Sequence, residues 1–161
     1  MNEYIIYFDL DGVLADFDKG VYTRTGVDIL GPDSFNDKNL KDKVFADPTF
    51  FLDLDLLPGA HRMVEYAKGY GEVKVLTATG YSNEEGVKAQ KTAWVRKHFG
   101  DLEVHTVPNS GDKAKYAWPD IVLIDDRLTK SVIPFREKGG IGIHHTSPAN
   151  TMAELDKIFK R

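Results

Sequence analysis

The sequence predicts an α/β protein: a three-layer, doubly wound parallel sheet with a small helical cap inserted after the first strand. Short, continuously apolar, β-prone runs recur along the chain, the pattern of strands buried on both faces. Stretches with helical spacing separate most of these runs, the alternation that builds βαβ units. Residues 16–57 interrupt that alternation directly after the first run. The 161 residues suit one domain at about 150 residues each. A chain of this size passes from about 26,000 to about 8,000 Å² exposed on folding, so it can build a core without staples. Hydrophobic residues at 42% and charged residues at 29% exclude a disordered chain.

The first strand is Tyr4-Ile5-Ile6-Tyr7-Phe8, which ends in Asp9-Leu10-Asp11-Gly12. Residues 16–57 are polar, contain Gly31-Pro32-Asp33-Ser34, and carry scattered aromatics, among them Phe17, Tyr22, Phe35, Phe45, Phe50 and Phe51. That span is too long for a plain connection and too short for a separate domain, so it reads as a lid or cap. The core is then residues 1–15 with 58–161. The alternative is a pair of surface helices around an ordinary mini-core. Pro58-Gly59-Ala60 opens a helix through Met63, Val64 and Ala67, with Gly69 and Gly71 as stop signals. Val73-Lys74-Val75-Leu76 is the next strand and ends in Thr77-Ala78-Thr79-Gly80.

Asn83 is placed to cap a helix over 84–99, with Val87, Ala93 or Trp94, Val95 and Phe99 toward the core and Gly100 ending it. Lys88, Lys91, Arg96 and Lys97 lie on this helix at mixed spacing and read as a solvated face. Leu102-Glu103-Val104-His105 is a weaker run, suited to an edge strand. Ile121-Val122-Leu123-Ile124 ends in Asp125-Asp126, and Ile141-Gly142-Ile143 ends in His144-His145. Pro148-Ala149-Asn150-Thr151 starts a last helix carrying Met152, Leu155, Ile158 and Phe159. Trp94 and Trp118 read as core or interface residues. The histidine pair reads as surface or loop, since no third ligand lies near it in sequence.

Composition also narrows the function. With 21 Lys and Arg against 25 Asp and Glu the net charge is −4, which disfavours a stable nucleic-acid complex but not a small phosphorylated ligand. Cysteine is absent, so disulfides, thiolate nucleophiles and thiolate metal sites are excluded. Met1-Asn2-Glu3 leads straight into the first strand without a signal-peptide pattern, and no apolar run approaches the roughly 18 residues of a membrane span. The expectation is a cytoplasmic protein without a membrane partner.

In open α/β sheets, ligands bind beyond the carboxyl ends of the strands. Asp9 and Asp11 follow the first strand, Thr77 and Thr79 the second, and Asp125 and Asp126 a later one. Carboxylates gathered there repel one another and lose hydration, a conflict that a divalent cation resolves. Oxygen-only ligands favour a hard ion such as Mg²⁺. Such an ion beside a phosphate ester suits in-line attack by a carboxylate, with an aspartyl-phosphate as the covalent intermediate.

These residues also carry a resemblance. Phe8-Asp9-Leu10-Asp11-Gly12-Val13-Leu14 resembles the first motif of the haloacid dehalogenase superfamily, Asp-x-Asp-Gly-x-x. Thr77 after its apolar strand resembles the second motif, Lys113 the third, and Ile124-Asp125-Asp126 the fourth. The resemblance implies that Asp9 is nucleophile and metal ligand, while Asp11 is acid and base and ligates the metal through its backbone carbonyl. It implies that Thr77 and the Ala78 amide bind a phosphoryl oxygen and that Lys113 neutralises phosphate charge. It favours Asp126 as the direct metal ligand with Asp125 behind it, a choice that spacing alone leaves open. Arg127 either braces those carboxylates or makes a surface salt bridge.

Within that superfamily the chain is most similar to the 5'(3')-deoxyribonucleotidases. The likeness lies in residues 8–17, 50–60, 77–79, 91–100 and 125–127. The segment between Phe17 and Phe45 is shorter than in animal members, and Thr77-Ala78-Thr79 stands where many relatives have Thr-Ser-Pro. The resemblance implies hydrolysis of deoxyribonucleoside monophosphates with Mg²⁺, and leaves a homodimer open. Phe17, Phe35 and Phe45 are then candidates for the base pocket, with Thr79 beside the phosphate; otherwise the rings form the cap's own core, the reading given to Phe50 and Phe51. The alternative substrate is another small phosphomonoester or a nucleic-acid end phosphate.

Overall fold

A computed structural model describes residues 4–31 and 34–160; Met1, Asn2, Glu3 and two residues of the expected turn, Pro32 and Asp33, lie outside them. The parallel sheet is built from β1 (Ile5–Phe8), β2 (Glu72–Ala78), β3 (Val104–Val107), β4 (Ile121–Asp125) and β5 (Ile141–His144). Their order is β3-β2-β1-β4-β5. β1 lies at the centre, in register with Val73 and Val75 on one side and Val122 and Ile124 on the other.

Alternate residues of these strands serve two cores. Ile6, Phe8, Val73, Val75, Val122 and Ile124 point into the larger one. There they meet α3 (Ala60–Lys68), α4 (Glu84–Phe99) and α6 (Pro148–Phe159). Tyr7, Leu76 and Leu123 point the other way, to Phe135 on α5 (Ile133–Glu137) and Tyr116 at the end of a 3₁₀ helix, Ser110–Tyr116. Right-handed crossovers require this division, because connections stepping toward β3 fall on one face and those stepping back toward β5 on the other. The three-layer α/β expectation is therefore met.

The segment 16–57 holds α1 (Phe17–Thr25) and α2 (Lys38–Ala46), each capped by an aspartate, Asp16 and Asp37. Its buried residues, including Phe17, Val21, Val44, Phe50 and Phe51, are continuous with the larger core rather than a separate one. Side-chain bonds from Asn83, just before α4, and from α4 itself hold its second half. Asn83 Nδ2 donates to the Phe45 carbonyl at 2.9 Å, and Gln90 Nε2 to that of Asp47 at 2.9 Å. Gln90 Oε1 accepts from the Phe51 amide at 2.8 Å, and Trp94 Nε1 donates to the Leu54 carbonyl at 2.8 Å.

Several expectations are corrected. The Asn83 side chain bonds across to residue 45 and does not cap α4. Of the alternatives Ala93 and Trp94 on that helix, Trp94 is the buried one, and Phe99 packs half-buried against the core as expected. β3 begins at Val104, because Val75 to Ala78 of β2 pair with Val104 to Val107. Trp118 is 66% exposed and so belongs to no core. His145 is buried, its Nδ1 2.7 Å from Thr151 Oγ1, which displaces the surface reading. The 3₁₀ helix, a π turn over Leu128–Val132 and α5 are additions that local apolar periodicity did not indicate.

Candidate active site

The chain leaves β1 to build β2 and β3 on one side of it, then returns to build β4 and β5 on the other. The crevice between β1 and β4 is thus the point where direction reverses, the preferred ligand position in such sheets. The Asp9 amide continues the β1–β4 ladder by donating to the Ile124 carbonyl at 3.0 Å, so Asp9 and Asp125 leave adjacent strands side by side. Beyond Asp9 the chain turns tightly: the Leu10 carbonyl accepts from the amides of Val13, Leu14 and Ala15. Gly12 has φ of 83° there, and a Cβ on it would stand 2.1 Å from Asp126 Oδ2. Glycine is needed twice over, for the backbone conformation and for the approach of Asp126.

One oxygen each of Asp9, Asp125 and Asp126 lies within 4.8 Å of the others. Lys113, from the 3₁₀ helix, is buried among them, its Nζ 2.6 Å from Asp125 Oδ2 and 3.0 Å from Asp9 Oδ1. Asp125 Oδ1 accepts from the Arg127 amide at 2.9 Å, so both Asp125 oxygens are engaged. Asp126 Oδ1 is buried without a hydrogen-bond partner. Burial raises the Asp9 carboxyl to about 7, reinforced by Asp125 and opposed by Lys113. Burial, with Asp9 and Asp125 adding to it, raises Asp126 to about 8. Burial works against the Lys113 ammonium, but Asp125 and Asp9 more than offset it and its pKa is raised.

This donor set fits a hard divalent cation. Its atoms are carboxylate oxygens, one of them buried and unsatisfied, and two of the three acids resist ionisation without an added positive charge. Asp9 and Asp126 have oxygens to offer, whereas Asp125 spends both of its own on Lys113 and the backbone. The Asp11 carboxylate is outside this cluster and pairs instead with Lys91, whose Nζ is 2.9 Å away.

A cavity of about 460 Å³ opens over these groups, within the size range of small-molecule sites. Asp9, Asp11, Thr77, Ala78, Lys113 and Asp126 line its floor, and Phe17, Phe35 and Phe45 line a wall. Those three rings belong to one aromatic cluster with Phe50 and Phe51: Phe17 meets Phe35 edge-on at 5.1 Å between centroids, and Phe45 lies 5.5 Å from Phe51. The same rings therefore line the cavity and pack into the larger core, with no separate mini-core. Asp125 sits behind the floor, fully buried. Thr79 does not line the cavity; its hydroxyl donates to the Gly80 carbonyl at 3.0 Å, and its amide joins β3. Geometry thus gives Thr79 a structural place in contrast to the expected phosphate contact.

Lys91 is the main residue that sequence reasoning missed. It is only 2% exposed and its Nζ also donates to Thr77 Oγ1 and the Ala78 carbonyl, both at 2.8 Å. The signal was its position, one turn after Val87 and one before Val95, on the apolar stripe instead of the solvated face of α4. Tyr81, Ser110 and Lys130 also line the cavity, from a loop, the start of the 3₁₀ helix and the π turn, where periodicity gives no cue.

No family model and no curated protein matches the chain. Solved structures do resemble it. A haloacid dehalogenase-like family hydrolase from Xanthomonas campestris superposes with a TM-score of 0.63 at 15% identity, over 98% of this chain and 92% of that one. A haloacid dehalogenase-like family hydrolase from Streptococcus pneumoniae gives 0.56 at 15% identity, over 94% and 98%. A protein described as a HAD-hydrolase from Bacillus subtilis, in a magnesium-bound structure, gives 0.55 at 11% identity, over 100% of both chains. At such identities the likeness establishes the fold, which is haloacid dehalogenase-like. Among the described residues no helix is long and apolar enough to cross a membrane.

Proposed function

We propose that this chain is a magnesium-dependent phosphomonoesterase that hydrolyses deoxyribonucleoside monophosphates through an aspartyl-phosphate on Asp9. The observation that carries the reading is the cavity floor, where Asp9 and Asp126, the latter with an unsatisfied buried oxygen, share a crevice with the Lys113 ammonium. Asp9, Asp126 and the Asp11 carbonyl would hold Mg²⁺, with Asp125 fixing Lys113 from behind. When bound, the ion supplies positive charge that keeps the carboxylates ionised and offsets charge on the phosphoryl oxygens.

The remaining chemistry belongs to the chain. Lys113 spends two of its three N–H groups on Asp9 and Asp125, and the third remains for a phosphoryl oxygen. The Thr77 hydroxyl accepts from Lys91, so its own proton is the one it offers to substrate. Asp9 holds one oxygen on Lys113 and attacks phosphorus with the other. The P–O bond to the alcohol breaks as the Asp9–phosphorus bond forms, and Asp11 delivers the proton that the leaving oxygen needs. Water then attacks the aspartyl-phosphate, Asp11 takes its proton, and phosphate leaves with Asp9 restored. The wall of Phe17, Phe35 and Phe45 offers ring surface to a nucleobase, and stacking on such surface is worth about 1–3 kcal/mol per base. The deoxyribose preference follows the sequence resemblance.

A phosphate-release screen over ribo- and deoxyribonucleoside 5'- and 3'-monophosphates, with and without magnesium, tests this reading. Deoxyribonucleotides should lead, EDTA should stop release, and Asp9→Asn should fold normally and show no turnover. Turnover by Asp9→Asn, or full rate in EDTA, would overturn the mechanism. Faster release from sugar phosphates or end-phosphorylated oligonucleotides would move the substrate while keeping the chemistry.

A further inference from the structure

We propose that Lys91 is a positioning residue that fixes Asp11 for proton transfer to the leaving group; this rests on the phosphatase reading above. A methionine or leucine would satisfy the packing of the apolar stripe on α4, yet a lysine stands there with 2% of its surface exposed. Burying an ammonium is costly unless every proton finds an acceptor. Here every one does. Nζ donates to Asp11 Oδ2 at 2.9 Å, Thr77 Oγ1 at 2.8 Å and the Ala78 carbonyl at 2.8 Å, and it stands 4.8 Å from the centroid of the Phe51 ring.

That saturation decides the kind of role. An ammonium has three donors and no acceptor, so Lys91 has nothing left for a substrate and acts through its partners. Its grip on Oδ2 fixes the Asp11 side chain and leaves Oδ1 for the proton. The Ala78 carbonyl ties Nζ to the end of β2, while Gln90 and Trp94 tie the same stretch of α4 to the backbone at Asp47, Phe51 and Leu54. Asp11 itself sits on a loop with its side chain 26% exposed, so without Lys91 its carboxylate can rotate into solvent. Lys113 serves the nucleophile, and Lys91 serves the acid and base.

The leaving group reads this role selectively. An alkoxide departing from a nucleotide needs a proton, whereas p-nitrophenolate is weakly basic and leaves without one. The test compares kcat/KM, which reports the steps through formation of the aspartyl-phosphate, for p-nitrophenyl phosphate and for the best nucleoside monophosphate. In Lys91→Met the nucleotide-to-aryl ratio of kcat/KM should fall about 100-fold, the lower end of what general acid catalysis supplies. Asp11→Asn should lower the ratio by a similar factor, and adding Lys91→Met to it should lower the ratio no further. A Lys91→Met protein that folds but loses both substrates equally overturns the proposal, because a merely structural role weakens both alike. Should methionine at 91 fail to fold, Lys91→Arg keeps the cation but spreads its donors over several atoms, and the ratio should still fall at least tenfold; an unchanged ratio there overturns the proposal too. Wild-type protein inert toward both esters would instead sink the phosphatase reading.

Discussion

Gly12→Ala should cost far more stability than an alanine on a loop ordinarily does, and Asp126 should be the reason. At φ of 83° an alanine pays about 1–2 kcal/mol for the left-handed conformation, partly offset by about 0.4–1 kcal/mol from a stiffer unfolded chain. The new methyl would also stand 2.1 Å from Asp126 Oδ2 and 2.8 Å from its Cγ, so the carboxylate must move by more than about 1 Å. Strain of that kind adds about 1–3 kcal/mol, giving about 3 kcal/mol in all. For a chain this long the fall in Tm is then about 6–12 °C. In an Asp126→Ala background the obstructing atoms are gone, and the same substitution should cost about 1 kcal/mol or less. Thermal unfolding of the four proteins in EDTA measures the coupling directly. Equal costs in the two backgrounds would show that Gly12 is required by its turn alone, and that the tight approach of Asp126 has no energetic weight.

Two further outcomes follow from the site. The Asp9 and Asp126 carboxyls, raised by burial to about 7 and about 8, bind more protons folded than unfolded between about pH 4 and those values. Metal-free stability should therefore fall as pH rises through that window; His145, lowered to about 4 by burial and by His144, gives the opposite slope only below about pH 6.5. Melting curves from pH 6.5 to 8.5 should slope down in EDTA, and the gain from Mg²⁺ should widen toward pH 8.5, reaching about 3 kcal/mol at 100 times its Kd; a gain independent of pH would contradict the shared site. Phe45→Ala, at a half-buried ring, should raise KM for a nucleotide about tenfold and leave KM for a non-aromatic phosphate ester unchanged, as loss of about 1–3 kcal/mol of stacking requires; equal changes for both esters would assign Phe45 to packing alone.

The sequence showed the strands and the acids because both obey local rules. β1, β2 and β4 are apolar runs of a few residues that stop at Asp9, Thr77 and Asp125, or within one residue of them, and parallel pairing aligns such stops at one edge of the sheet. Lys113 was found by its likeness to a motif, and the fold brings it between Asp9 and Asp125 across a separation that no spacing rule describes. Lys91 was misplaced for the opposite reason: a lysine among lysines on a helix is usually solvated, and only the stripe of Val87, Trp94 and Val95 marks its side as buried. Thr79 shows the limit of strand-end reasoning. Side chains alternate along β2, so Thr77 and Thr79 leave on the same side, but by residue 79 the hydroxyl has turned to its own loop.

The bonds from α4 also bear on how substrate enters. A lid that swings must break its contacts to the core, and Asn83, Gln90 and Trp94 bond the backbone at Phe45, Asp47, Phe51 and Leu54 from buried or half-buried positions. At about 1 kcal/mol net for each such bond, and more where breaking it strands a buried group, opening by that route is opposed by several kcal/mol before any ring leaves the core. The aromatic wall is therefore set before a ligand arrives, because Phe45 and Phe51 ride on the bonded stretch and Phe17 packs against Phe51 at 6.2 Å. A wall fixed in advance would lose little side-chain freedom to a flat ring settling on it, so under the proposed function discrimination would fall to fit and stacking rather than to closure. The same helix that holds the wall carries Lys91, which places the aromatic surface and the Asp11 carboxylate on one rigid support.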